Sequence, residues 1–250
     1  MEEHDKYVKA LIRLHRGLDR QGPGDDDFST FIIEQIPELP PNPRIADFGC
    51  GAGAGALLLA EKFHSKVKAV DFSREFLDQL LARARRKGLE ELIETIECDI
   101  GKLDWHPGRL DLIWSEGAAY NITFKGALEK WRPLLVVGGI AVISEMNYFS
   151  TEVSKSVTEF MKNAYPEIKT ESGNVDLMHS SGFEVLGTHR LPSNIWWDNY
   201  YDPLREQISV IGSSVDGVIQ TVISETQEEM NVFKEHDKDY GYTYYIMRAV

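Results

Sequence analysis

Arg44-Ile-Ala-Asp-Phe-Gly-Cys-Gly-Ala-Gly-Ala-Gly55 sets a short apolar run, an acid at Asp47 and glycines at 49, 51, 53 and 55 directly before the helix-forming Ala56-Leu-Leu-Leu-Ala. The stretch reads as a nucleotide-binding strand, turn and helix. Alternate glycines let the backbone turn sharply and approach a ligand with no Cβ in the way, and the helix that follows offers unpaired N–H groups. Taken alone the signal is weak. Glycine runs also make plain turns, and Gly51-x-Gly53-x-x-Ala56 fits the dinucleotide fingerprint, which expects an acid near the distance of Asp71.

The next hundred residues separate these readings. Strand-like Val67-Lys-Ala-Val ends at Asp71, Ile93-Glu-Thr-Ile-Glu-Cys ends at Asp99, and Leu110-Asp-Leu-Ile-Trp ends at Ser115-Glu116. Ligands of open parallel sheets bind at the carboxyl ends of the strands, so Asp47, Asp71, Asp99 and Glu116 are expected to converge on one rim. This spacing resembles the class I S-adenosylmethionine (SAM) dependent methyltransferases. The resemblance implies that Asp47 and Gly49 to Gly53, Cys50 and Gly51 included, form the loop beside the methionine part of SAM. It further implies that Asp71, followed by Phe72, holds the ribose hydroxyls, and that Asp99 with Ile100 lies against the adenine. Elementary chemistry agrees, since a ribose diol and an adenine amino group both offer donors that suit a carboxylate.

Within that family, Ser115-Glu-Gly-Ala-Ala-Tyr-Asn-Ile looks like a small-molecule subgroup related to the ubiquinone and menaquinone methyltransferases. Arg20-Gln-Gly-Pro-Gly upstream and Tyr240-Gly-Tyr-Thr-Tyr-Tyr near the end support the likeness. Gln21, Ser115 and Glu116 thereby join the implied cofactor residues. Thr123 departs from the pattern, because that subgroup's Tyr-Asn-Ile-Gly-Phe has glycine there; the course of this loop is the feature in question.

A chain of 250 residues with 42% hydrophobic content can bury one substantial core, so a single domain over residues 1–250 is expected. A formal charge of −13 argues against a surface that tracks nucleic-acid phosphates. The basic run Arg83-Ala-Arg-Arg-Lys87 falls on a predicted helix and reads as a solvated face. Cys50 and Cys98 stand in no metal-like spacing, which predicts reduced structural thiols in a cytoplasmic protein. The histidines show no ligand spacing, so no metal is expected, and His106 reads as a surface-loop residue. No apolar run reaches the twenty or so residues of a membrane helix, and the acidic start Met1-Glu-Glu-His-Asp does not read as a signal peptide.

Tyr7, Leu11, Leu14 and Leu18 recur at helical spacing, and Asp25 to Asp27 introduce a second helix that Pro37 to Pro43 ends, giving an N-terminal helical cap over residues 1–40. Helices at 56–63, 74–87 and 124–132 then alternate with strands at 67–70, 93–98, 110–114 and 139–145. The alternation predicts an α/β fold, a doubly wound, Rossmann-like and mostly parallel sheet. Phe183 to Leu191 and Tyr242 to Arg248 read as strands. The resemblance supplies their antiparallel pairing and makes the long helical insertion between them, residues 193–239 with Trp196, Trp197, Tyr200 and Tyr201, a candidate lid.

Methyl transfer is a displacement at a carbon on a sulfonium. It gains most from holding two partners close, aligned and dry, and it demands no fixed catalytic residue. The expected acceptor side comprises Glu116, Tyr120 and Asn121 after the fourth strand, Glu145 at the end of the fifth, and Trp196 and Tyr200, four apart on one predicted helical face. Acids among aromatic rings suit a cationic or amphipathic small molecule; core packing is an equal reading for any one ring, and Glu145 equally suits pairing with a nearby cation. Asp111 reads as a structural cap, Phe124 and Trp131 as core. A nicotinamide-dependent oxidoreductase would share the glycine turn, but the short-chain pattern Tyr-x-x-x-Lys fails because Phe124, not Lys125, stands fourth after Tyr120. A non-catalytic SAM-binding module would use the same first residues as an enzyme.

Overall fold

The apolar run at Ile45–Phe48 (β1) lies buried along its whole length at the centre of one sheet, in a computed structural model that describes residues 2–212 and 217–250. Around it stand Val67–Asp71 (β2), Ile93–Glu97 (β3), Leu110–Ser115 (β4), Leu135–Tyr148 (β5), Phe183–Arg190 (β7) and Tyr240–Ala249 (β8), in the order β3-β2-β1-β4-β5-β8-β7, with the short Lys169–Thr170 (β6) on β5. Strands β1 to β5 run parallel, and β8 is antiparallel to both β5 and β7. A sheet covered on both faces needs apolar residues at successive positions, which is why its central strands read as continuous runs rather than alternating ones.

The helices Ala54–Phe63 (α3), Arg74–Lys87 (α4) and Phe124–Trp131 (α5) fall where their signals predict. For α4 both bounds coincide with the expectation because both caps are local: the Ser73 hydroxyl accepts the Phe76 N–H, and Gly88 closes the helix in the left-handed region at φ +69°. The fifth strand is longer than expected, since β8 pairs with it from Ile140 to Tyr148. Lys155–Ala164 (α6) and Glu171–Ser180 (α7) fill the connection to β7, opened by the Ser154 and Thr170 hydroxyls, which accept the Val157 and Gly173 N–H groups.

Glu2–His15 (α1) and Asp26–Gln35 (α2) form the N-terminal segment. The insertion divides into Ser193–Trp196 (α8), a π-helical turn Trp197–Tyr201, Asp202–Ile211 (α9) and Gly217–His236 (α10). Pro203 has no N–H for the carbonyl four residues back, so the ladder is interrupted there. Trp196 and Tyr200 therefore do not share one face of a regular helix, as their spacing predicted. Helix α1 packs on α9 and α10, joining the N-terminal segment and the insertion into one helical cover. Among the described residues no helix is long and apolar enough to cross a membrane.

Candidate active site

At the carboxyl ends of the strands the glycine turn is pinned to its neighbours. The Gly49 and Cys50 N–H groups donate to the Val70 carbonyl at 2.8 and 3.0 Å. The buried Asp71 carboxylate accepts from Gly51 N–H at 2.9 Å and from Ser73 N–H at 2.8 Å. Gly49, Gly51 and Gly53 all have positive φ, and a Cβ on Gly51 would stand 2.3 Å from Gln21 Oε1. That oxygen accepts the Ala52 N–H at 2.7 Å, so the N-terminal segment reaches over the turn. Burial raises the Asp71 carboxyl above its ordinary range, opposed by the N–H groups of Ser73, Gly51 and Phe72. Asp47, beneath the turn, is pushed well above that range by burial and then by the Glu116 charge. Phe72 projects 55% exposed at the same edge. The cradle, the buried carboxylate with spare lone pairs and the bare aromatic face together suit an adenosine with a hydroxylated ribose.

Ile100 also belongs to this edge, its Cδ1 lying 3.9 Å from where a Gly49 Cβ would be. Asp99 is half-exposed beside it and ion-pairs with Lys102 at 2.9 Å, which together with the Gly101 N–H lowers its pKa. Ser115 is buried and spends its hydroxyl on the Phe48 carbonyl at 2.8 Å, tying β4 to β1. Burial, followed by the charges of Asp47 and Asp71, pushes the Cys50 thiol well up and keeps it protonated. His106 lines a hollow with Arg44, His64 and Arg109, at the amino ends of the strands and away from this rim.

Glu116 reaches the rim but not as a free acid. Arg20 Nη1 at 2.6 Å, Ser29 Oγ at 2.9 Å, Trp114 Nε1 at 2.8 Å and the Tyr244 hydroxyl at 2.9 Å all donate to it. Burial opposes the Arg20 charge, but Glu116, Tyr244 and Asp26 overcome it and raise the guanidinium pKa. Both side chains are nearly buried, at 10% and 12% exposure, so Glu116 is the knot that ties the N-terminal segment to β4 and β8. The basic run on α4 also needs correction: Arg83 donates to the Ala52 and Asp19 carbonyls and so buttresses the turn, while Lys87 pairs with Glu61 on the surface.

The remaining expected acceptor residues separate into two groups. Trp196 is 1% exposed and stacked on Phe233 and Tyr242, with ring centroids at 4.1 and 5.2 Å, so it packs in the core instead of presenting an open face. Tyr200 is buried with its hydroxyl 3.0 Å from His15 Nε2, and Asn121 turns its amide back to the Ala118 carbonyl. Tyr120, by contrast, keeps 40% of its surface accessible beside Tyr165. Glu145 is 1% exposed, its Oε2 has no partner, and burial, opposed by the Tyr165 hydroxyl, pushes its pKa up to about 8. No nearby cation sets that value, so its environment differs from the ion pair that was an equal expectation. Tyr165, which follows α6, escaped sequence reading because helical periodicity gives no hint that it packs against Tyr120.

At the loop after β4, Thr123 adopts φ +62° and ψ 146°, a conformation nearly reserved for glycine. The turn keeps the shape that the resemblance expects of glycine, and the Thr123 hydroxyl caps α5 by accepting the Gly126 N–H at 3.1 Å. Asp111 caps the other end of the sheet, held by Arg44 at 2.8 and 2.9 Å.

Residues 45–139 match a family model described as a methyltransferase domain. Geranyl diphosphate 2-C-methyltransferase of Saccharopolyspora erythraea is 24% identical over 136 residues, covering 54% of this chain and 44% of that protein. Phosphoethanolamine N-methyltransferase 1 of Arabidopsis thaliana is 28% identical over 164 residues, covering 64% of this chain and 32% of that protein. The chain spans less than half the length of these two relatives. A solved SAM-dependent methyltransferase from Geobacter sulfurreducens, in complex with S-adenosyl-L-homocysteine, superposes with a TM-score of 0.82 at 16% identity over 97% of this chain and 98% of that one. At that identity the likeness is one of fold.

Proposed function

We propose that this chain, which carries a class I SAM-dependent methyltransferase domain, transfers the methyl group of SAM to a small-molecule acceptor by in-line displacement. The observation that carries the reading is the buried Asp71 carboxylate, bonded to Gly51 across the turn and flanked by the bare Phe72 ring. Asp71 takes the ribose hydroxyls, Phe72 and Ile100 pack on the adenosine, and Asp99 receives the adenine amino group. Asp47 and the turn from Gly49 to Gly53 lie beside the methionine part, with Gln21 above. When bound, SAM supplies a methyl carbon made electrophilic by its sulfonium. The protein aligns the partners and excludes water. Residues 1–40 and 193–239 serve as cap and lid of a single domain, and Tyr120 lines the acceptor side next to Tyr242, whose hydroxyl lies 3.5 Å from the position of a Gly117 Cβ. The separated thiols Cys50 and Cys98 suit a reducing cytoplasm.

The test compares S-adenosylhomocysteine (SAH) with NAD by thermal unfolding, followed by transfer from isotopically labelled SAM to metabolite pools. SAH at about 100 times its Kd should stabilise the protein by about 2.7 kcal/mol. For a chain of this size that is a rise in Tm of roughly 5–10 °C. A shift with NAD and none with SAH would defeat the proposal, and SAH binding without any transfer would leave a binding module in its place.

Phe72→Ala offers a milder check. The ring is 55% exposed, so its removal should scarcely alter stability. Loss of its contact with the adenosine should weaken SAH binding by about 1 kcal/mol, roughly fivefold. Calorimetry that finds unchanged affinity would move the adenosine away from this edge.

A further inference from the structure

Strands β2, β1 and β4 lie side by side, and a cation enters each: Lys66 before Val67, Arg44 before Ile45 and Arg109 before Leu110. All three line the hollow at the amino ends of the sheet, on the far side from the glycine turn. Its volume is about 850 Å³, within the roughly 300–1,000 Å³ of small-molecule sites. Residues 98–109 join β3 to β4 without a helix, so on the sheet face that carries Lys68 a loop, and not a helix, forms one wall. That wall is apolar, with Leu92, Ile96, Trp105 and Leu110. Trp105 is fixed in it by an edge-on contact with Phe48, ring centroids 5.6 Å apart, and by Lys68 Nζ 5.8 Å over its ring. Arg44 is neutralised by Asp111 and Lys68 by Glu94, each at 2.8 Å. Among the described residues Lys66 and Arg109 have no acidic partner, and the one other acid of the lining is Asp104. The chain holds 40 acids against 27 lysines and arginines, so two uncompensated cations over an apolar wall depart from its general surface.

We infer that this hollow is a second ligand site, which binds a small amphipathic anion with its apolar body on the Trp105 wall and its negative group beside Lys66 and Arg109. Adjacent strands lie about 4.8 Å apart, so the Lys66 and Arg109 backbones stand about 10 Å apart across β1, close enough for two such long side chains to meet one anion. The two halves of the ligand answer two features of the lining. Burial of an apolar body removes water from the wall, and the negative group supplies the counter-charge that Arg44 and Lys68 already have. A chain of net charge −13 repels anions at long range, so it holds one only where positive charge is locally in excess. The same net charge weighs against a nucleic acid as the occupant, since a polyanion extends beyond the two cations. The site is separate from the rim where the cofactor is proposed to lie, and occupation of one leaves the other open.

The experiment titrates the aromatic anion 8-anilinonaphthalene-1-sulfonate (ANS), and its uncharged parent N-phenyl-1-naphthylamine, into the folded protein at pH 7, with and without SAH, following fluorescence. ANS should bind saturably, more tightly than its parent, and SAH should not displace it. Lys66→Glu and Arg109→Glu should each raise the ANS Kd by roughly 3- to 10-fold, and the double variant by roughly 10- to 100-fold, since two exposed charges act nearly independently. Affinity for the uncharged parent should stay at the wild-type value in all three. Lys66 and Arg109 are exposed, so thermal unfolding should find each variant as stable as wild type. Lys162→Glu, on the exposed side of α6, changes the net charge equally and should leave the ANS Kd unchanged. The inference would be overturned by no saturable ANS binding, by displacement with SAH, or by equal affinity for ANS and its parent. A wild-type Kd in the folded double variant, or an equal loss in Lys162→Glu, would overturn it as well.

Discussion

Asp71→Ala should weaken SAH binding by roughly 10²- to 10⁴-fold. The carboxylate receives two hydroxyls in the proposed complex, and each charge-assisted hydrogen bond is typically about 1.5–3 kcal/mol. The same oxygens hold Gly51 and Ser73 N–H groups, so the alanine variant also leaves two buried donors short and loosens the turn. Asp71→Asn keeps the volume and one accepting oxygen, so one of the two N–H groups meets the amide NH2 instead of an acceptor. Both its affinity and its stability should fall between wild type and alanine. Protonation of Asp71 would likewise remove its best acceptor. Since burial raises that pKa, SAH binding should weaken on acidification from above the ordinary carboxylate range. Titration calorimetry across pH on the three proteins decides the matter, and unchanged affinity in Asp71→Ala would remove the ribose from this carboxylate.

Glu116→Ala should destabilise the fold by about 3–5 kcal/mol, the usual cost of leaving one member of a buried ion pair behind. The Arg20 guanidinium would keep only Asp26, and Ser29, Trp114 and Tyr244 would lose their common acceptor. Because these donors come from the N-terminal segment, β4 and β8, the loss falls on how the cap sits over the sheet. Glu116→Ala combined with Arg20→Ala should cost less than the sum of the single changes, since the stranded charge goes with its partner. Denaturant unfolding of the two single variants and the double measures this directly. Wild-type stability with turnover abolished would instead return Glu116 to the chemistry of the acceptor.

Much of the fold was legible because its signals are short-range. The apolar run, the acid and the glycines from Asp47 to Gly53 specify strand, turn and helix within a dozen residues, and Ser73 and Gly88 mark both ends of α4 through bonds to near neighbours. The same locality put Asp47, Asp71 and Glu116 at strand ends, and the rule that parallel strands share one ligand rim carried them to a common edge. Gly51 and Asp71 meet as that rule requires, at 2.9 Å.

What tertiary structure decided lies in partners far apart along the chain. Glu116 reads in sequence as a free acid at a strand end, and only packing delivers Arg20, Ser29 and Tyr244 to it across separations of 96, 87 and 128 residues. Trp196 and Tyr200 read as one aromatic face, until the π-helical turn separates them and stacks Trp196 on Phe233 and Tyr242. Glu145 reads as an acid at a strand end, and only the elements packed around β5 bury it to 1% exposure and push its pKa up to about 8. A backbone preference is a property of a few adjacent residues, whereas the burial and charge state of an acid depend on every element packed around it, and that surrounding exists only once the chain has folded.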